Sequence, residues 1–258
     1  MYSNNSFRFK IENIQEKKKT NLILALDPKF GTPGLPNYIS TLIEQLSDYL
    51  CAIKLNFHVI LPLSESELKA VARIAHKNQV QLIADLKIND IFDTNRVIIQ
   101  NLAHMGFDCA IVNPFIGRSS LLKLVDYAHS IEFGIIALVY MSHPDAVEGY
   151  GASILQPQPS SDANSSLPFY DVFYANALEA GVDGVVIGGN RLDVLREFAQ
   201  KGQTKIPIYS PGIITQGGNL DDAMKSGSTY LIIGRAIIES PNPVSTLKSI
   251  QQSILHKF

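Results

Sequence analysis

The sequence predicts an α/β chain folded as a single (β/α)8 barrel, a TIM barrel, and three observations carry that prediction. Eight short, nearly continuous apolar runs recur along 258 residues. Helical patterns alternate with them, and the length is one that a single barrel commonly fills. Strands that are apolar on both faces belong to parallel sheets covered by helices, and eight such units in this length favour closure over an open sheet. No composition shift marks a boundary, so residues 1–258 read as one domain. The repeat is architectural, one βα unit after another, with no obvious sequence repeat.

The first run is Asn21-Leu-Ile-Leu-Ala-Leu-Asp27, followed by a turn containing Gly31, Pro33 and Gly34 and a helix near residues 38–49. The second, Cys51-Ala-Ile-Lys-Leu-Asn56, precedes a helix over residues 65–77. The third, Val80-Gln-Leu-Ile-Ala84, runs out into Asp85-Leu-Lys-Ile-Asn-Asp-Ile-Phe-Asp-Thr94, and apolar spacing predicts a helix over residues 95–103. The fourth is Asp108-Cys-Ala-Ile-Val-Asn113, with a helix from Ser120. Gly134-Ile-Ile-Ala-Leu-Val-Tyr140 and Gly184-Val-Val-Ile-Gly188 are the fifth and sixth. The seventh, Ile206-Pro-Ile-Tyr-Ser210, is short and broken by Pro207; the eighth, Tyr230-Leu-Ile-Ile233, leads to a last helix over residues 244–255. Residues 145–167, with Gln-Pro-Gln-Pro-Ser-Ser at their centre, read as a long flexible loop on the C-terminal rim. Its middle reads as an insertion and its flanks as candidates for a lid.

Composition narrows the function classes. A hydrophobic share of 46% supplies a core, and a net charge of −2 gives no reason to expect nucleic acid or an anionic membrane as partner. No apolar run reaches bilayer-spanning length. The N-terminal stretch, with Arg8, Lys10 and Lys17 to Lys19, lacks the apolar segment of a signal peptide. Cys51 and Cys109 both fall in predicted strands, which argues against a disulfide framework and for a reducing, cytoplasmic setting. Two isolated cysteines make no zinc pattern, so neither metal nor cofactor is expected.

In a barrel, the C-terminal strand ends open into one mouth. In order, those ends carry Asp27, Lys54, Asp85 with Lys87 and Asp90, Asn113, Ser142, Gln216, and Gly234-Arg235. Asp27 alone reads most simply as a cap. Lys54 is harder to explain that way: a lysine inside so apolar a strand needs a carboxylate, and Asp27, Asp85 and Asp90 are the candidates. Asp85 and Lys87 are two apart, so an extended backbone places both on one face; by themselves they fit a solvated ion pair equally well. Pro211-Gly-Ile-Ile-Thr-Gln-Gly-Gly218 after the seventh run and Ile233-Gly-Arg235 after the eighth lie where barrels frequently bind phosphate. Arg235 would add a bidentate charged fork.

The Asp85-x-Lys87-x-x-Asp90-Ile-x-x-Thr94 motif resembles that of the orotidine 5′-phosphate decarboxylase family, archaeal-type members most. Asp27, Lys54, Met141-Ser-His-Pro144, Pro211-Gly, Gln216-Gly-Gly and Ile233-Gly-Arg235 extend the resemblance over nearly the whole chain. The segment at residues 145–167 looks longer than usual for the family. The resemblance implies decarboxylation of orotidine 5′-phosphate (OMP) to UMP, without metal or cofactor, in a cytoplasmic homodimer. Lys87 would protonate pyrimidine C6 and Asp85 would face the departing carboxylate. Lys54 and Asp27 would hold ribose hydroxyls and complete the charge array. Asp90 and Thr94 would act across a dimer interface, Asp90 within the catalytic set. Ser142 would meet the pyrimidine. Gln216, Gly234 and Arg235 would hold the phosphate, with Pro211 and Gly217 of the same loop beside the substrate. The same short motif serves a different chemistry in metal-dependent sugar-phosphate decarboxylases and hexulose-phosphate synthases, the nearest alternative; a non-catalytic phosphate-binding barrel is the other.

Overall fold

A computed structural model describes residues 6–156, 165–201 and 206–255. Eight parallel strands close into a barrel: β1 (Leu22–Ala25), β2 (Ala52–Asn56), β3 (Gln81–Ile88), β4 (Cys109–Val112), β5 (Gly134–Tyr140), β8 (Gly184–Ile187), β9 (Ile208–Ser210) and β10 (Tyr230–Ile233). Two further strands, β6 (Ser153–Gln156) and β7 (Ser165–Pro168), stand outside it as an antiparallel pair. β1, β4, β5, β8, β9 and β10 are buried along their whole lengths. This explains the continuous apolar runs: helices cover one face and the barrel interior fills the other.

The covering helices follow the predicted order with adjusted ends. They are α2 (Leu35–Leu46), α4 (Glu65–Lys77), α5 (Phe92–His104), α6 (Arg118–Ser130), α8 (Phe169–Ala180), α9 (Leu192–Lys201), α10 (Leu220–Lys225) and α12 (Pro243–Ile254); α3 (Phe57–Ile60), α7 (Ala146–Gly149) and α11 (Arg235–Ile238) are single turns. The bounds of α4 match the prediction because Ser64 and Glu67 form a capping box: the Ser64 hydroxyl accepts from Glu67 N while the Glu67 carboxylate accepts from Ser64 N.

Three expectations need correction. First, α1 (Phe7–Lys18) precedes the barrel in a stretch to which the sequence reading gives no element. Its buried residues are Phe7 and Ile11, one turn apart, too narrow a stripe to stand out among charges. The Lys18 ammonium fastens it by donating to the carbonyls of Gln79 (2.8 Å), Ser47 (2.9 Å), Asn78 (3.0 Å) and Leu50 (3.4 Å). Second, Cys51 lies just before β2 rather than inside it; like Cys109, which opens β4, it is buried and free. Third, part of the 145–167 segment is ordered structure, not flexible loop. α7 follows β5, and β6 pairs with β7 from Ser153↔Pro168 to Gln156↔Ser165. Backbone bonds Phe169 N to Ala152 O (2.9 Å) and Tyr170 N to Tyr150 O (3.0 Å) tie the hairpin to the head of α8. A backbone ladder is insensitive to side-chain polarity, so composition hid it. Residues 157–164, which include most of the Gln-Pro-Gln-Pro-Ser-Ser run, lie outside the described residues.

At the N-terminal end of the barrel, one arrangement occurs twice. Asp108 Oδ2 accepts from Leu82 N of β3 (2.8 Å) and bonds His76 Nε2 at the end of α4 (2.9 Å). Asp183 Oδ2 accepts from Ile135 N of β5 (2.8 Å) and bonds His129 Nε2 at the end of α6 (2.9 Å). Each carboxylate pins a helix end to the strand that follows it. The hydrogen bond to the neighbouring aspartate raises the pKa of both histidines above the ordinary value, against burial, which lowers it.

Candidate active site

The groups at the barrel mouth are placed by their strands. On β2, Lys54 and Asn56 are two apart and both line a single cavity of about 360 Å³ at the C-terminal end. That size is within the range of small-molecule sites. Parallel pairing sets Asn56 opposite Asp85 of β3, and Ala25 opposite Lys54, so the polar ends of β1, β2 and β3 converge. Ile111, Leu138, Val186 and Ile232 contribute the apolar part of the lining.

Four charges alternate across three strands. Lys54 Nζ donates to Asp85 Oδ2 at 2.6 Å and lies 3.6 Å from Asp27 Oδ2, while Lys87 Nζ donates to Asp85 Oδ1 at 2.7 Å. The side chains of Lys54 and Asp85 are 6% and 8% exposed, that of Lys87 34%, so the outer ammonium is the one an incoming molecule meets. Burial disfavours the Lys54 charge, but Asp85 and Asp27 outweigh it and hold its pKa above the usual lysine value. Burial likewise pushes the Asp85 carboxyl up, and Lys54 and Lys87 outweigh it and hold it below the usual carboxylate range. Asp27 Oδ1 is buried without a protein partner.

The Asp85–Lys87 pair forms, but not through extended-strand alternation. Lys87 has φ of 48°, in the left-handed region, and the pairing of β3 with β4 shifts between Ala84 and Ile88. A non-glycine residue held there stores on the order of 1–3 kcal/mol, and such strain clusters at functional sites. Sequence spacing found the right pair for an incomplete reason.

Asp27, Lys54, Asp85, Lys87, Ser142, Pro211, Gln216, Gly234 and Arg235 line the same cavity. Asp90 and Asn113, which the sequence reading also counts among the strand ends at the mouth, do not, nor do Thr94 and Gly217. Asp90 and Thr94 are exposed. Asp90 Oδ1 accepts from Ile91 N (2.7 Å), and its backbone is clasped by the buried Asn95 amide, which donates to Asp90 O (2.6 Å) and accepts from Asp90 N (3.2 Å). Gly217 is exposed in a turn beside the cavity. Asn113 Oδ1 accepts from Phe115 N (3.2 Å) and its amide faces Tyr150 Oη (3.4 Å), so it braces the segment after β5 instead. Among the lining residues, the sequence reading missed Asn56, and it quoted Met141, His143 and Thr215 only as members of motifs, with no role of their own. Asn56 had a usable signal, two residues beyond Lys54 on one strand.

The glycine-rich loop after β9 folds back on itself, with Ile214 N donating to Gly218 O (2.8 Å) and Gly218 N to Gly212 O (3.3 Å). On the neighbouring strand, Gly234 follows β10 and exposed Arg235 opens α11, so loop and Arg235 line adjacent parts of the cavity.

Alternating carboxylates and ammonium groups on the first three strands of a closed barrel define a class, the barrels built on an Asp-x-Lys-x-x-Asp motif. Within that class, the chain belongs to the Orotidine 5′-phosphate decarboxylase / HUMPS family, whose profile matches residues 20–250. It is 33% identical over 233 residues to the orotidine 5′-phosphate decarboxylase of Pyrococcus horikoshii, covering 90% of this chain and 98% of that protein. The Thermococcus kodakarensis protein of the same name is 33% identical over 239 residues, covering 92% and 98%. The crystal structure of the Pyrococcus horikoshii OT3 enzyme matches with a TM-score of 0.72 at 32% identity, over 90% of this chain and 98% of that one. That of the Methanocaldococcus jannaschii orotidine 5′-monophosphate decarboxylase, complexed with the inhibitor BMP, matches with 0.74 at 27% identity, over 90% and 97%.

Proposed function

We propose that this chain is an orotidine 5′-phosphate decarboxylase, a carboxy-lyase that converts OMP to UMP and carbon dioxide in pyrimidine biosynthesis without a metal or organic cofactor. The observation that carries the reading is the Lys54–Asp85–Lys87 array, with contacts of 2.6 and 2.7 Å, opening into a cavity that the glycine loop and Arg235 also line.

The chemistry follows from charge placement. The C6–carboxylate bond breaks, its electron pair stays on C6, and carbon dioxide leaves. The pyrimidine ring stabilises that carbanion poorly, so a fixed ammonium beside C6 lowers the barrier and then supplies the proton. Lys87 is that donor: it is the accessible ammonium, and Asp85 fixes its position. Asp85 faces the departing carboxylate. Lys54 and Asp27 hold ribose hydroxyls, Ser142 meets the pyrimidine, and Gln216 with Gly234 and Arg235 binds the phosphate, Pro211 and Gly217 shaping that end. Phosphate binding, remote from the reacting carbon, supplies energy for orienting the ring.

Asp90 and Thr94 are exposed outside their own cavity, which fits a homodimer in which each subunit contributes them to the partner's site. Phe57, Leu61, Ile91 and Val97, on the segments after β2 and β3, are exposed apolar side chains that such an interface would cover. Among the described residues no helix is long and apolar enough to cross a membrane. Together with two free, buried thiols, this supports a cytoplasmic protein.

The test is direct turnover of OMP, followed by loss of orotate absorbance and release of carbon dioxide. Conversion that persists in excess chelator supports the reading. Activity only on a sugar phosphate, abolished by chelator, assigns the chain instead to the metal-dependent branch of the family.

A further inference from the structure

The loop after β8 carries a side chain that lies outside the cavity yet ties two of its walls together. Asn190 Nδ2 donates to Ser142 O at 2.8 Å and to Gln216 O at 3.4 Å. Ser142 follows β5 and Gln216 follows β9, so one amide spans loops from three strands. The junction is tight. A β-carbon at Gly188 would sit 2.8 Å from Ser142 Cα and 2.9 Å from Asn190 Oδ1; one at Gly212 would sit 2.6 Å from Ser142 Cβ and 2.8 Å from Gln216 Oε1. Asn190 Oδ1 is itself buried with no hydrogen-bond partner. A buried amide oxygen left without a donor is costly, so the side chain is held there by what its nitrogen does.

We propose that Asn190 is a positioning residue that couples the phosphate end of the cavity to the ring end. The inference rests on the OMP reading of the cavity. Gln216 stands at the phosphate end and Ser142 at the ring end, and both are fixed through their backbone carbonyls to the same amide. A dianion that draws the loop after β9 inward therefore also sets the height of Ser142 over the ring. Binding energy gained far from C6 is in this way spent on orienting the reacting part of the substrate. Asn190 does not line the cavity, so its effect passes through the two loops it joins.

The experiment compares kcat and KM for OMP and for orotidine, which lacks the phosphate, in the wild type, Asn190→Ala and Asn190→Asp, with melting curves for each. Aspartate keeps the size and removes the donor. Both variants are expected to lose about tenfold or more in kcat/KM for OMP, mostly in kcat, while orotidine changes by less than about threefold. The advantage conferred by the phosphate thus shrinks. Equal losses on both substrates mean general damage to the mouth and overturn the coupling; so does an unchanged ratio in either folded variant. If Asn190→Ala does not fold, Asn190→Asp decides by the same ratio. A wild type inactive on OMP would instead overturn the functional reading beneath it, and the two failures are told apart by that control.

Discussion

At the residue scale, Lys54, Asp85 and Lys87 fill three different physical roles with two kinds of charge. Lys54 is buried and stays an ammonium because two carboxylates outweigh its burial. Asp85 stays ionised because two ammonium groups flank it. Lys87 takes the outermost position, paired on one side only and open to the cavity on the other. The Asp85 pKa is lowered, so the favourable part of the array is fully present above the ordinary carboxylate pKa of about 3.9 and is lost as pH falls through the lowered value. The array is therefore intact at neutral pH. In the proposed function Arg235 serves the phosphate. Arg235→Ala is expected to raise KM for OMP at least tenfold while leaving orotidine nearly unaffected, since a charge-assisted contact to phosphate contributes about 1.5–3 kcal/mol. Equal effects on the two substrates would remove Arg235 from phosphate binding. Lys54, Asp85, Lys87 and Arg235 were legible in the sequence because a charged residue ending an apolar strand is conspicuous. Asn190 was not, because an asparagine in a Gly-Gly-Asn-Arg turn looks like any other turn residue.

At the element scale, strands were easier to read than the segments between them. Eight buried strands leave an unbroken apolar signal, whereas α1 hides two core residues in a polar helix and the β6–β7 hairpin depends on backbone bonding. The left-handed kink at Lys87 was equally invisible, since nothing local in Asp-Leu-Lys-Ile announces the register shift between β3 and β4. The paired His–Asp clamps also escaped the sequence reading: His76 to Asp108 and His129 to Asp183 are 32 and 54 residues apart. Their physics yields a pH dependence. The His129 pKa is raised, first by its hydrogen bond to Asp183 and further by the charges of Asp183 and Asp126, against burial. The charged clamp thus contributes fully below the unfolded histidine pKa of about 6.5 and is lost as pH rises through the raised value. The melting temperature of His129→Ala is expected to lie below that of the wild type, with the gap widest near pH 6 and narrowing towards about pH 9. A gap that stays constant across that range would mean the clamp carries no charge.

At the scale of the whole molecule, the barrel brings eight strand ends to one mouth, yet Asp90 and Thr94 of the Asp85-x-Lys87-x-x-Asp90-Ile-x-x-Thr94 motif lie outside the cavity there. Asp90 and Thr94 acquire a role if a second copy of the chain borrows them. Mixing Lys87→Ala with Asp90→Ala and allowing subunits to exchange separates the alternatives. With shared sites, a mixed dimer holds one site carrying both lesions and one carrying neither, so activity is expected to reappear. With unshared sites, every cavity keeps one lesion and no activity returns, provided that exchange is verified separately. The central claim, that an ammonium held by Asp85 protonates the carbon left by carbon dioxide, is tested most directly by the kcat of Lys87→Ala on OMP, with the fold checked by melting. The expected result is a folded protein whose kcat falls by at least 10²-fold, about 3 kcal/mol or more of transition-state stabilisation. A folded Lys87→Ala variant that kept most of its kcat would contradict it.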